Sequence, residues 1–340
     1  MSFKSHITIR DRKVGPGEPV LIIAEAGVNH FGDLDKALKL VDLAFESGAD
    51  VFKTQAFNTD RLISSQIPEW KDRLRPKEVD FEFLDQVKQH CDKRNITFLC
   101  TPHDESVLDW LDKWDMPAYK IGSGERGNIP FIRKIAERNK PIILSTGMYS
   151  DKHIDEVLEA LNTVGQKELA LLHCVTCYPS SPEQINLNVI KGLREKFEGP
   201  VGYSDHTQGF HIPFAAVAMG ADIIEKHITL DFNVPNAQDW KVSAGPDDFA
   251  DFVKQIREIE SCFGDKEKGI QACEEPALSW ALKSLVLARH VEAGTPLTEK
   301  DLISKRPGTG ISPSCLEEVI GKTLNRRMSI DEIIKWDDLS

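Results

Sequence analysis

One rhythm governs roughly the first 265 residues of this 340-residue chain: a short apolar, β-rich run, a polar turn, then a stretch with helical apolar spacing. The strand candidates are VLIIAEAG (20–27), DVFKTQAF (50–57), ITFLCTP (96–102), AYKIGSG (118–124), PIILSTG (141–147), LALLHCV (169–175), GPVGYSD (199–205) and DIIEKHI (222–228). Between the first two, DLDKALKLVDLAFESG (33–48) sets Leu34, Ala37, Leu38, Val41 and Leu43 to Ala44 on one helical face. GADV (48–51) and GADI (220–223) each place a glycine just past a helix, with a strand directly beyond. Eight strand–helix units with short connections predict a parallel sheet closed into a (β/α)8 TIM barrel, an α/β fold. An open doubly wound sheet is the rival, and the regularity of the eight units favours the barrel.

The rhythm stops near residue 265, so the barrel is expected over 1–265. The polar segment over 266–280 reads as a linker, and 281–340 as a second, small domain with short strands and Gly-Thr-Pro and Arg-Pro-Gly turns. A module of that size is marginal alone and gains from docking on something else.

With 41% hydrophobic and 28% charged residues the chain can bury a large core, and its net charge of −12 argues against a general nucleic-acid or anionic-membrane binder. No apolar run reaches the roughly 18 residues of a membrane span, and the N-terminus has no signal-peptide core. Seven scattered cysteines fit a reducing compartment, so the expected location is cytoplasmic.

Barrel active sites form at the C-terminal ends of the strands. Those ends carry Glu25 and Asn29-His30; Lys53 and Gln55; Thr101 and His103; Lys120, Ser123 and Glu125; Ser145 and Thr146; His173, Thr176 and Tyr178; Ser204, Asp205 and His206; and Glu225 and His227. Lys, Glu and His are rarely deeply buried without partners, so their recurrence inside apolar runs is a stronger signal than any one of them. Two lysines and several hydroxyls suit an oxyanion-rich ligand. His206 and His227, on adjacent strand ends, could share a divalent ion as neutral imidazoles, or be hydrogen-bonded loop histidines. Glu25 could bind a metal, bind its water or act as a base.

Three other motifs carry little. Cys174-x-x-Cys177 lacks a second pair for a zinc site, and Tyr-Pro follows where a redox motif would open a helix. Asp205-His206 as part of a serine triad lacks a G-x-S-x-G elbow. GSGERG (122–127) is not a dinucleotide fingerprint.

In order along the chain, AEAGVNHFGD (24–33), FKTQAF (52–57), YKIGSGE (119–125), ILSTGM (143–148), HCVTCYP (173–179), GYSDHT (202–207) and EKHIT (225–229) resemble the motifs of the sialic acid synthase family, which makes nonulosonic acids such as N-acetylneuraminate, legionaminate and pseudaminate. The tail LVLARHVEAGTPLTEKDLISKRPGTGI (285–311) is similar to that family's antifreeze-like (SAF) domain, so the resemblance spans essentially the whole chain. It implies a cytoplasmic transferase that condenses phosphoenolpyruvate with an open-chain N-acylated hexosamine aldose and releases phosphate by C–O cleavage, for cell-surface polysaccharide. Carried onto this sequence, Lys53, Thr101, Lys120, Ser123, Ser145, Thr176 and Ser204 would hold phosphoenolpyruvate. His206 and His227 would bind a divalent metal, typically Mn2+, with Mg2+ or Co2+ as substitutes. Glu25 would manage the proton, with Glu125 a second acid–base candidate. Gln55, Tyr178 and Asp239 would contact the sugar. Arg306 would reach the N-acyl group in the barrel of the partner chain, within a domain-swapped homodimer.

The chain departs from the family pattern twice. Thr176 stands where the family often has Asn, and VPNAQDWKVSAGPDD (234–248) replaces a Pro-Gly-Pro-Asp segment that faces the sugar. The second departure points to an acceptor other than N-acetylmannosamine, such as a bulkier or deoxygenated relative. No extra basic cluster near the sugar motifs argues for a phosphorylated sugar. Two rival functions remain: a Schiff-base pyruvate aldolase using Lys53 or Lys120, and a non-catalytic accessory protein of polysaccharide biosynthesis.

Overall fold

In the computed structural model, which describes residues 3–235 and 237–340, the strands come where the apolar runs lie. Two short strands precede them, β1 (Ile7–Ile9) and β2 (Arg12–Val14), paired as an antiparallel hairpin. The barrel strands are β3 (Leu21–Gly27), β4 (Val51–Ala56), β5 (Thr97–Pro102), β6 (Tyr119–Ile121), β7 (Ile142–Ser145), β8 (Leu169–Cys174), β9 (Val201–Asp205) and β10 (Ile223–His227). They form one parallel sheet in the order β5-β4-β3-β10-β9-β8-β7-β6. Its two outer strands, β5 and β6, pack side by side, so the sheet curls into a nearly closed barrel as the eightfold rhythm predicts.

The barrel strands are buried on both faces, as parallel strands sheathed by helices are. The first outer helix, Leu34–Glu46, buries Ala37, Leu40, Val41 and Ala44, a stripe with helical spacing. Asp33 caps it by accepting from the Lys36 amide, and Asp80 and Asp104 cap two later helices in the same way. Gly48 and Gly220 adopt φ of +80° and +93° just past their helices, a conformation only glycine takes without strain.

The hairpin was not anticipated. Ile7, Ile9 and Val14 join the barrel core. Its contacts fall on residues just ahead of the strands: the Lys4 amide donates to the Lys167 carbonyl, Phe3 packs on Phe197, and Arg12 reaches Asp50 and the Val20 carbonyl. The hairpin therefore covers the N-terminal end of the barrel.

The chain divides into two compact units, Met1–Gly264 and Asp265–Ser340. The second carries a helix, Glu275–Ala281, and an antiparallel pair, β11 (Ser284–Leu287) with β12 (Leu302–Lys305). The helix falls largely inside the segment expected to be a linker. Leu285, Leu287, Val291, Leu297, Ile311, Leu324 and Ile334 form that unit's own small core. Among the described residues no helix is long and apolar enough to cross a membrane.

Candidate active site

A cavity of ≈ 330 Å³ opens among the residues at the C-terminal strand ends. Glu25, Lys53, Lys120 and Glu225 form its floor, each on a different strand and each at most 4% exposed. Lys53 Nζ lies 2.6 Å from Glu25 Oε2 and 3.5 Å from Glu225 Oε2, and donates to Thr101 Oγ1 at 3.3 Å. Lys120 Nζ donates to Ser145 Oγ at 2.9 Å and lies 3.3 Å from Glu225 Oε1, which also accepts from Ser204 Oγ at 3.0 Å.

The two lysines differ electrostatically. Burial works against the Lys53 ammonium, yet Glu225 and Glu25 more than offset it and hold its pKa above the usual range. For Lys120 burial prevails and the pKa is lowered, despite Glu225 nearby. Burial alone would raise the pKa of Glu225, but Lys120 and Lys53 hold its carboxyl well below the ordinary range.

Glu25 continues into a relay. Gln55 Nε2 donates to Glu25 Oε1 at 2.9 Å, and Gln55 Oε1 lies 3.3 Å from His103 Nε2. Burial lowers the pKa of His103 to about 4, and the Lys53 charge acts in the same direction.

The wall on the β8–β10 side holds His206, His227 and Tyr178. The two imidazole centroids are 5.5 Å apart, and the Tyr178 ring lies 4.0 Å from His206 and 6.0 Å from His227. His206 Nδ1 donates to the Val175 carbonyl at 2.7 Å, which leaves the Nε2 lone pair available. His227 Nδ1 is buried with no hydrogen-bond partner. A Cβ added at Gly27 would fall 3.0 Å from Asp239 Oδ2 and 3.5 Å from His227 Nδ1, so this glycine lets both groups approach the strand. Gly27 follows a shift in register between β3 and β4, a bulge of the kind that re-aims side chains beside active sites. Among the described residues no cluster of three or more His, Cys, Asp or Glu is placed to cage a metal. Two imidazoles with free lone pairs beside a carboxylate nonetheless suit a divalent ion that keeps open positions for ligands.

Ser123 and Thr176 approach each other across Gly147, whose amide donates to Ser123 Oγ at 2.9 Å. The fold thus brings Glu25, Lys53, Gln55, Thr101, Lys120, Ser123, Ser145, Thr176, Tyr178, Ser204, His206, His227 and Asp239 to one cavity. Two candidates lie elsewhere. Glu125 does not line the cavity: it sits in the turn after β6, where its carboxylate accepts from Asn128 Nδ2 at 2.7 Å, and burial raises its pKa. Arg306 belongs to the second unit, exposed, with its guanidinium 5.8 Å from the Trp280 ring centroid.

Sequence reasoning placed Glu225 at a strand end without a role, though it joins both lysines. It also missed the helix Pro68–Leu74 and the turn after it, which bring Trp70, Arg73 and Lys77 to the mouth. The basic residues absent from the sugar motifs are thus supplied from the segment after β4. With no strand end in that segment, only its Trp-Lys-Asp-Arg composition hinted at a binding loop.

The seven cysteines are all free, Cys174 buried and Cys177 exposed.

A near-closed (β/α)8 barrel with buried lysines, carboxylates and a histidine pair at its mouth defines an enzyme-like anion site. The chain belongs to the NeuB family, the sialic acid synthases: that family's profile matches residues 40–268, and the SAF domain profile matches 283–340. The N,N'-diacetyllegionaminic acid synthase of Campylobacter jejuni is 40% identical over 330 residues, which span 93% of this chain and 98% of that protein. The enzyme of the same name from Legionella pneumophila is 35% identical over 345 residues, 96% of each chain. Among solved structures, the N-acetylneuraminic acid synthetase of Leptospira borgpetersenii in complex with citrate is 35% identical, with a TM-score of 0.75 over 82% of this chain and 96% of that one.

Proposed function

We propose that this protein is a nonulosonic acid synthase that joins phosphoenolpyruvate to an open-chain, N-acylated hexosamine-type aldose. One observation carries the reading: two buried lysines, ringed by Thr101, Ser145 and Ser204 hydroxyls, stand opposite a pair of buried imidazoles in one cavity. Lysines and hydroxyls are donors for the phosphate and carboxylate of phosphoenolpyruvate. Similarity to enzymes named N,N'-diacetyllegionaminic acid synthase supports a diacylated acceptor. So do the apolar residues at the mouth, where Val28, Phe31, Phe57, Leu62, Leu74 and Ala237 offer surface to acyl methyl groups.

In this reading C3 of phosphoenolpyruvate bonds to the aldehyde carbon, and the carbonyl electron pair goes to the aldehyde oxygen, which takes a proton. Water adds at C2 and gives up one proton, and the C2–O bond to phosphate breaks as the new C2 hydroxyl passes its remaining proton to the departing phosphate, leaving a 2-keto acid and inorganic phosphate. A divalent ion held by His206 and His227, Mn2+ by preference, would supply Lewis-acid polarisation of the aldehyde. Glu25, held by Lys53 and Gln55, takes the proton from the attacking water. Lys120 and Ser145 stabilise the charge carried away by phosphate. Gln55, Tyr178 and Asp239 orient the sugar. Arg306 reaches the acyl group from the partner chain of a domain-swapped dimer.

The lowered pKa of Lys120 favours one alternative, a Schiff-base aldolase with Lys120 as nucleophile. A panel of mono- and diacetamido aldoses, each with Mn2+ and phosphoenolpyruvate carrying 18O in its bridging position, separates the two. The synthase yields labelled phosphate and a product with the mass of aldose plus pyruvate only when aldose is present. With pyruvate supplied in place of phosphoenolpyruvate, aldose-independent trapping of a pyruvyl adduct on Lys120 by borohydride would establish the aldolase instead.

A further inference from the structure

The two histidines each follow a buried charge. Asp205 precedes His206, Lys226 precedes His227, and Asp205 and Lys226 are direct partners in the register of β9 with β10. Side chains alternate between faces along a strand. Ser204 and Glu225 therefore meet the cavity floor, while Asp205 and Lys226 point the other way, under the helix His211–Ala218, where Lys226 Nζ lies 5.8 Å from the Phe210 ring centroid. There they form an ion pair at 2.6 Å, each residue about 1% exposed.

Every polar atom of the pair is engaged. Lys226 Nζ also donates to the Thr207 carbonyl at 2.8 Å and the Gly209 carbonyl at 3.3 Å. Asp205 Oδ1 accepts from Tyr203 Oη at 2.9 Å, from the Thr207 amide at 3.0 Å and from Thr207 Oγ1 at 2.8 Å. The residues on both sides of His206 are thus tied to a lysine whose own neighbour is His227. Desolvating two charges is expensive, and an apolar pair of similar volume often serves stability as well. The energetic logic of this pair lies in fixing geometry.

We propose that Asp205 and Lys226 are positioning residues that clamp the spacing of His206 and His227, and so set how tightly the site holds its divalent ion. The proposal rests on the reading of those histidines as the metal pair.

The test titrates Mn2+ into metal-stripped full-length protein and follows free Mn2+ by electron paramagnetic resonance. The double variant Asp205→Asn/Lys226→Met removes both charges, so none is left buried and unpaired, and it retains the acceptor for Tyr203 and Thr207. It should fold, with unchanged near-UV circular dichroism, and bind Mn2+ about 10–100-fold more weakly, the range for groups that orient metal ligands. Its kcat should recover at high Mn2+ while its KM for phosphoenolpyruvate stays near that of the wild type, a pattern that general loosening of the fold would not produce. Wild-type Mn2+ affinity in the folded double variant overturns the clamp and leaves the metal reading standing. Wild-type protein that binds no Mn2+, or binds it equally well after His206→Ala, removes the metal reading and the clamp with it. Should the double variant not fold, Tyr203→Phe/Thr207→Val, which removes two hydroxyl donors to Asp205, carries the same test: weaker Mn2+ binding supports the clamp and unchanged binding overturns it.

Discussion

Lys53 Nζ and Glu25 Oε2 are 2.6 Å apart, with side chains 2% and 1% exposed. A pair so deeply buried is expensive to break from one side, because the surviving charge stays without its partner. Lys53→Met should therefore cost about 3–5 kcal/mol in stability as well as abolish turnover. Lys53→Met/Glu25→Gln, which removes both charges, should regain much of the stability and none of the activity. Urea unfolding of the two variants, with phosphate release measured alongside, checks both halves.

Gly147 is a steric hinge of the anion site. A Cβ there would fall 2.2 Å from Thr176 Oγ1 and 2.7 Å from Ser123 Oγ, both short side chains with little room to yield. Gly147→Ala should displace the two hydroxyls and raise the KM for phosphoenolpyruvate, about tenfold for each hydrogen bond worth ~1.4 kcal/mol that is lost. The KM for the aldose should move far less. Steady-state kinetics with each substrate varied in turn discriminates; equal rises in the two KM values would contradict the placement.

Arg306 offers a test of the proposed exchange between chains. Arg306→Ala should raise the KM for the aldose much more than that for phosphoenolpyruvate. Dimers mixed from Arg306→Ala and Lys53→Ala chains should regain activity, since one of the two cavities then has an intact barrel and an intact arginine. Mixtures that stay inactive would place the arginine in its own chain's site or outside any site.

His30 predicts the acid limb of stability. It is 1% exposed, its Nδ1 accepts from the Gly32 amide, and burial lowers its pKa to about 4 although the Asp33 charge pulls upward. Between its ordinary value of 6.5 and about 4, the unfolded chain binds a proton that the native protein refuses. Its contribution is thus complete above pH 6.5 and declines as the pH falls, by up to about 3 kcal/mol. His30→Gln, which can still accept from the Gly32 amide, should flatten the fall in urea midpoint between pH 7 and pH 4. The fall should not vanish, because His103 is depressed in the same way. An unchanged slope would mean that His30 takes up its proton in the folded state.

Much of this was legible because a barrel strand is a ruler. Polar residues that interrupt an apolar run at its C-terminal end, such as Lys53, Lys120 and His227, have few places to go except the mouth. Partners were not legible. Nothing in EKH distinguishes Glu225, which joins both lysines, from Lys226, which turns its back on them; the pleat decides. Glu125 misled because it lies four residues beyond its strand, where a turn has already carried it away from the axis. Trp70, Arg73 and Lys77 come from a connecting segment whose path only tertiary packing determines. In ITIRDRKV, the alternation of Ile7 and Ile9 was present, but over strands of three residues it is too short to stand out.

The packed barrel core has a kinetic corollary. It closes the cavity from below and makes it a cul-de-sac, with Lys53 and Lys120 on inner strand positions and Trp70, Gln238 and Asp239 on the connecting segments outside them. Reactants that share a cul-de-sac must queue. The ligand that belongs at the bottom goes in first, and one that arrives early at the entrance becomes an obstruction instead of a reactant.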